Sequence, residues 1–289
     1  MPAGADCRLQ LRPRARVQLQ PHQPRCLRRQ PPRPQPACDQ HPGGGGHRNP
    51  LPHPDPDAAQ ELMQRTPEPE LMDDLEQVAA YGAADFSRSD AALIESLQQL
   101  CLANERELAA GDRLLDLGCG PGNISERLAR QWPNADVIGV DAAARMLALA
   151  EQRRQQDQPR LQRLRYQACS LQDLTRAPSL EATVIVSNSL LHHLHNPQDL
   201  WRLHQRHGSA DALVLHRDLR RPDSPEQALA LRQRHCSDAP AVLQQDYLNS
   251  LHAAFTAGEV REQLTDAGLH SLEVVELEDR YLEVRGRLG

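Results

Sequence analysis

The run Asp116-Leu117-Gly118-Cys119-Gly120-Pro121-Gly122-Asn123 concentrates residues that could do chemistry. Three glycines at alternate positions permit a tight turn and let a ligand reach the backbone. The segment before them, Arg113-Leu114-Leu115-Asp116-Leu117, reads as a strand. The segment after them reads as a helix, whose first N–H groups are free for a ligand. Asp116 lies at the strand's end, where a carboxylate repels phosphate and suits a cationic amine. A second acid, Asp141, ends the apolar strand Val137-Ile138-Gly139-Val140, 19 residues beyond Gly122. An acid at that place typically takes ribose hydroxyls. A dinucleotide fingerprint would need glycine at position 123, where Asn123 stands. Pro121 also removes an N–H that a pyrophosphate would use.

An amine-binding acid, a glycine loop and a ribose acid describe S-adenosylmethionine better than NAD. At these residues the sequence resembles the class I S-adenosylmethionine-dependent methyltransferases of the small methyltransferase-domain type. Leu114 to Gly122 matches the first family motif nearly letter for letter, and Val140-Asp141 with Met146 matches the second. Ser187-Asn188-Ser189-Leu190-Leu191-His192-His193-Leu194 matches the end of strand four in many members. The resemblance covers residues 110–217 strongly and 67–289 in outline. It implies that Asp116, Gly118, Gly120 and Gly122 hold the methionine moiety, Asp141 the ribose, and Met146 the adenine face. Cys119, Asn123, Ala142, Leu171, Ser187 and Asn188 complete the implied cofactor contacts. Members often carry Gly-Asp-Ala-x-Asp-Leu after strand three. Here Cys169-Ser170-Leu171-Gln172-Asp173-Leu174 puts Ser170 where the acid for the adenine amino group would stand.

Other residues compete for the acceptor side. His192 and His193 are about 100° apart if helical, so at most one faces a pocket. His192 is the candidate general base and His193 a candidate substrate contact. His216, Arg217 and Asp218 end the fifth strand, at the ligand edge of an open α/β sheet. Arg217 is a candidate for holding a substrate carboxylate, with an ion pair to Asp218 or another acid as its structural alternative. Tyr81, Asp85 and Phe86 precede the core, where a lid belongs. Asp246, Tyr247 and Ser250 fall in an inserted helical segment, the usual seat of selectivity. Tyr81, His193, Arg217, Asp246 and Tyr247 are therefore the expected substrate contacts. Ser187 stands where metal-dependent catechol enzymes place an aspartate, so no metal is expected. The seven cysteines form no C-x-x-C pair, so neither a zinc site nor a disulfide framework is expected.

The elements that must position these residues alternate strand and helix. Strands are expected at 113–117, 136–140, 163–168, 182–187 and 212–217, with helices at 123–131, 142–154 and 197–207, the last capped by Asn196. That rhythm predicts an α/β fold: a doubly wound, mostly parallel, Rossmann-like sheet of seven strands. An N-terminal helical lid (67–108, its first helix starting at Pro69) precedes the cofactor-binding core (110–217). A helical insertion (222–251) follows strand five. Residues 256–289 close the chain with a helix capped by Thr256 and an antiparallel strand pair, 272–277 and 281–284.

Residues 1–60 contain 13 of the 23 prolines and a Gly43–Gly46 run, too little apolar surface to offset chain entropy, so disorder is expected there. The break also fits translation beginning near Met63, an idea that N-terminal sequencing finding earlier residues would end. All 33 basic residues are arginine, and nine lie in this tail against four acids. The rest is acidic, with 24 Arg against 35 Asp and Glu, which disfavours a broad nucleic-acid face. No apolar run of about 18 residues would span a membrane, and a cytoplasmic location is the default. A small-molecule methyl acceptor leads. An RNA- or tRNA-modifying enzyme ranks second on the basic tail, and a non-catalytic cofactor-binding module third. The Ser187-Asn188-Ser189 sequence is not the Asn-Pro-Pro-Tyr type used on exocyclic base nitrogens. Oligomeric state is not legible.

Overall fold

The computed structural model describes residues 63–289; the expectations for residues 1–60 lie outside them. Seven strands form one sheet in the order β3-β2-β1-β4-β5-β7-β6. They are β1 (Arg113–Leu117), β2 (Asp136–Asp141), β3 (Leu164–Ala168), β4 (Ala182–Asn188), β5 (Gly208–Leu219), β6 (Leu272–Leu277) and β7 (Tyr281–Arg287). β1 to β5 pair in parallel, whereas β7 lies antiparallel between β5 and β6. The Rossmann-like, doubly wound expectation holds, with the strand pair inserted at one edge.

The central strands are hydrophobic because both faces are covered. Leu115, Leu117, Ile138, Val140, Ile185 and Val214 pack on one side with Trp201 of α6 (Gln198–His207) and Val260 and Leu264 of α9 (Ala257–Asp266). Leu114, Val137, Val184, Val186, Leu213 and Leu215 face the other side. There they meet α2 (Ser87–Ala103) through Leu93, Leu97 and Cys101, and α3 (Asn123–Gln131) through Ile124 and Leu128. The four-residue spacing in both helices gives each one apolar stripe. α4 (Ala144–Gln156) joins β2 to β3, and the short α5 (Leu171–Leu174) follows β3.

The expected N-terminal lid divides differently. Helix α1 is Leu75–Ala83, starting only where Asp74 Oδ1 accepts from the N–H groups of Glu76 (2.8 Å) and Gln77 (3.4 Å). Residues 63–74 carry no helix, because Pro67 and Pro69 hold the residues before them extended. They form a strap instead. Arg65 anchors it, donating to the carbonyls of Ala253 (2.6 Å), His192 (3.0 Å) and Leu194 (3.0 Å), with its guanidinium 3.9 Å from the Phe255 ring centroid. Thr66 N–H donates to His252, and Arg145 clasps Asp73.

The helical insertion after β5 resolves into α7 (Pro225–Cys236) and α8 (Ala241–Ala253). Asn196 lies just outside α6, its side chain accepting from Gln198 N–H at 3.3 Å. Thr256 caps α9 in a capping box with Glu259. Thr256→Ala is expected to cost about 1 kcal/mol, measured as a lower midpoint of denaturant unfolding with unchanged slope.

Candidate functional site

At the carboxyl ends of the central strands lies a cavity of about 960 Å³, at the upper end of the roughly 300–1,000 Å³ usual for small-molecule sites. Eleven sequence-predicted cofactor residues line it: Asp116, Gly118, Cys119, Gly120, Asn123, Asp141, Ala142, Met146, Ser170, Leu171 and Asn188. The loop takes its path from glycine. Gly118, Gly120 and Gly122 have φ of +65°, +52° and +86°, where other residues are strained. A Cβ on Gly118 would sit 2.5 Å from Leu190, and one on Gly122 would overlap the Tyr166 hydroxyl. A Cβ on Gly120 would meet nothing, so the loop is open on the cavity side there.

Asp141 locks this loop. Oδ2 accepts from Gly120 N–H and Oδ1 from Ala143 N–H, each at 2.7 Å. Asp116 is buried at the end of β1, its Oδ2 accepting from Ser125 Oγ at 2.6 Å. Burial raises its pKa to about 7, opposed by Ser125 and reinforced by Asp141.

Two expected cofactor contacts fall outside the lining. Gly122 is the cap of α3, behind the loop. Ser187 is buried and turned into the core, its hydroxyl 2.6 Å from His216 Nδ1. His216 Nε2 in turn lies 2.6 Å from His204 Nε2, and His204 Nδ1 donates to the carbonyl of Leu200 at 3.1 Å. That donation leaves His204 Nε2 as acceptor, which fixes His216 Nε2 as donor and the Ser187 hydroxyl as donor to His216 Nδ1. Burial pushes His204 down to about 4, and burial with the neighbouring His204 holds His216 well below its ordinary value, so the chain stays neutral. Ser170 caps α5, accepting from Asp173 N–H at 3.1 Å and donating to Asp173 Oδ2 at 2.8 Å. Its oxygen serves the local turn and supplies no carboxylate to an adenine.

The acceptor side is built around a short 3-10 turn, Leu191–His193, which buries both histidines. Their rings tilt by 35° with centroids 4.2 Å apart, and both line the cavity, contrary to the expectation of one. The tight turn and His193's use of Nδ1 bring them to one point. His192 Nδ1 donates to Asp218 Oδ1 at 2.5 Å. Asp218 Oδ2 accepts from Leu191 N–H at 2.7 Å, holding the turn. Sequence reasoning missed the third member, Glu68 on the strap. Its Oε1 lies 3.4 Å from His192 Nε2 and 3.2 Å from His193 Nδ1, and accepts from Ser250 Oγ at 3.1 Å. Nothing local marks Glu68; only strap docking brings it there. Burial lowers the His192 pKa, but Asp218 and Glu68 together outweigh it and raise the value. Burial and His192 push His193 down to about 3, and burial raises Glu68.

The remaining substrate candidates separate. Tyr81 and Tyr247 line the cavity. Burial pushes the Tyr247 hydroxyl up to about 12. Asp246 does not line it; its Oδ1 accepts from Gln77 of α1 at 3.2 Å. Arg217 borders the cavity, but its donors are committed to Glu283 (2.9 and 2.5 Å), Ser96 Oγ (3.1 Å) and the α2 carbonyls of Ser89 and Ala92. Its ion pair is with Glu283 on the neighbouring antiparallel strand, not with Asp218. Among the described residues no helix is long and apolar enough to cross a membrane.

Residues 114–207 match the family described as methyltransferase domain. A trans-aconitate 2-methyltransferase of Mycobacterium marinum is 33% identical over 100 residues, 34% of each chain. A malonyl-[acyl-carrier protein] O-methyltransferase of Bacillus cytotoxicus is 48% identical over 50 residues, 17% of this chain and 18% of that protein. These matched segments span well under half of the curated relatives' length. A SAM-dependent methyltransferase from Aquifex aeolicus shares the fold with a TM-score of 0.55 at 17% identity, covering 75% of this chain and 99% of that one. The glycine loop after β1 and the acid ending β2 lie within the segment that matches the methyltransferase-domain family, and the sheet with its antiparallel β7 is similar in fold to the Aquifex aeolicus methyltransferase.

Proposed function

We propose that this chain binds S-adenosylmethionine on the glycine loop and transfers its methyl group to an oxygen or nitrogen of a small-molecule acceptor. One observation carries the reading: a single cavity is lined both by the loop with Asp116 and Asp141 and by His192 and His193. The residues fit the cofactor. Asp116 offers a buried carboxylate to the amine, Asp141 keeps lone pairs for ribose hydroxyls, and Gly120 leaves room for close approach.

The bound cofactor supplies an electrophilic methyl group; the protein aligns an acceptor and excludes water. Orientation in such a pocket is worth about 7–11 kcal/mol in favourable cases. The strap and α8 cover the acceptor side, which favours a small acceptor over a nucleic acid. An acceptor that keeps a proton needs a base, and His192, oriented by Asp218, is the candidate. The named substrates of the relatives put carboxylate-bearing molecules first in a panel. Transfer from labelled cofactor to a metabolite extract, with RNA and protein fractions in parallel, tests the acceptor class. Calorimetry that found no binding of S-adenosylmethionine or S-adenosylhomocysteine would end the reading.

The charge on Asp116 gives this binding a pH signature. Its folded pKa of about 7 lies above the ordinary value, so in the free protein its contribution to stability is present below the ordinary carboxylate range and lost as pH rises through about 7. A cationic amine needs the ionised form. Cofactor binding is therefore expected to release a proton below pH 7, with affinity rising about tenfold per pH unit up to that point and then levelling. Calorimetry in buffers of different ionisation enthalpy reads the proton directly, and Asp116→Asn should abolish the dependence.

A further inference from the structure

Glu68 Oε1, His192 Nε2 and His193 Nδ1 lie within 4.8 Å of one another, and both histidines line the cavity. The hydrogen-bond network assigns their protons. Asp218 accepts from His192 Nδ1, so in the neutral ring Nε2 carries a bare lone pair. His193 Nδ1 is buried without a hydrogen-bond partner among the described residues. That unpartnered Nδ1 offers a lone pair when the ring proton sits on Nε2. With both rings neutral in these tautomers, two imidazole lone pairs and a carboxylate oxygen converge on one point. Three acceptors meeting in a buried space repel unless a cation sits among them.

We infer that Glu68, His192 and His193 form a binding site for a divalent transition-metal ion. Two imidazoles and one carboxylate are the donor set of open, catalytic-type zinc sites and of non-haem iron(II) sites. Zinc bonds of about 2.0–2.1 Å at tetrahedral angles put neighbouring ligand atoms about 3.3–3.4 Å apart. Glu68 Oε1 stands 3.4 Å from His192 Nε2 and 3.2 Å from His193 Nδ1, close to that spacing. The outer shell is also present. Asp218 holds the far nitrogen of His192 at 2.5 Å, the carboxylate–histidine–metal arrangement that fixes tautomer and ring orientation. Ser250 holds Glu68. Arg65 fixes the turn from behind through the carbonyls of His192 and Leu194.

Three protein ligands leave at least one position open, and both histidines line the cavity, so that position takes water or an oxygen of the acceptor. A carboxylate or hydroxyl held there would be oriented and its charge compensated without a protein base. His192 then acts as ligand rather than base, and the two roles exclude each other. The site stands apart from the methyl-transfer reading, because metal binding is read with no cofactor present.

Full-length protein lacking an affinity tag is stripped with a chelator, then titrated with Co²⁺ and Zn²⁺. The expected result is a saturable Co²⁺ site with visible ligand-field absorption that Zn²⁺ displaces. This signal disappears in Glu68→Gln and in His193→Gln and persists in His270→Ala, a change of an exposed histidine. Asp218→Asn, which touches no metal ligand atom, is expected to weaken Zn²⁺ binding about 10–100-fold. Circular dichroism and S-adenosylhomocysteine binding show separately that each variant is folded. Absence of a saturable site in the wild-type protein, or a Co²⁺ spectrum unchanged from wild type in folded Glu68→Gln or His193→Gln, overturns the assignment.

Discussion

Asp141→Ala is expected to lower affinity for S-adenosylhomocysteine by about 100-fold, because hydrogen bonds to a charged group are worth about 1.5–3 kcal/mol each. Asp141 ties Gly120 N–H and Ala143 N–H with its two oxygens, both at 2.7 Å. Removing the carboxylate frees the turn at Gly120, whose φ of +52° belongs to the left-handed region. It also removes the acceptor proposed for the ribose. Loop order and ligand contact are therefore lost together. Asp141→Asn keeps one carbonyl acceptor and should fall between the two. Titration calorimetry measures the change. Affinity within about threefold of wild type for Asp141→Ala, less than 1 kcal/mol, would show that neither function rests on this residue.

The second large effect is on stability. Arg217→Ala removes the near partner of Glu283, which is 0% exposed on β7 and keeps only the longer 3.9 Å pairing with Arg285 among the described residues. Breaking a buried pair from one side costs about 3–5 kcal/mol, since the remaining charge stays desolvated. The same change frees the α2 carbonyls of Ser89 and Ala92 and the Ser96 hydroxyl, loosening α2 from the sheet. For a domain of this size the loss should lower Tm by on the order of 10 °C. Replacing both partners, Arg217→Met with Glu283→Leu, should recover much of the loss. A substrate-holding arginine would behave differently, raising KM while leaving Tm unchanged. Calorimetric melting of the two variants separates the roles.

The fate of Arg217 illustrates where reading along the chain stops. Its position at the carboxyl end of β5 is written in the strand pattern, and so is its proximity to the ligand edge. Which acid it meets is set by the antiparallel insertion of β7 beside β5, a pairing that puts Arg217 opposite Glu283. Ser187 shows the same limit from the core side. Strand alternation locates it at the end of β4, yet the buried His216–His204 pair turns its hydroxyl away from the cavity. The expectation of no metal rested on Ser187 and on cysteine spacing. The site proposed at Glu68, His192 and His193 draws on an acid more than a hundred residues upstream of the histidines, outside any local pattern.

What the sequence determined by itself is local. Glycines at 118, 120 and 122 impose a left-handed path that few other residues tolerate, and period-2 and period-3.6 patterns place the strands and helices around them. Asp116 and Asp141 then follow at fixed distances from the loop, so the cofactor side is legible as a short string. The acceptor side is assembled from segments separated by most of the chain. Pro67 and Pro69 keep the strap extended, Arg65 docks it onto Ala253, His192 and Leu194, and only then does Glu68 face the two histidines. Such a meeting depends on the summed packing of many elements, which local propensity and spacing do not encode, and tertiary structure alone decided it.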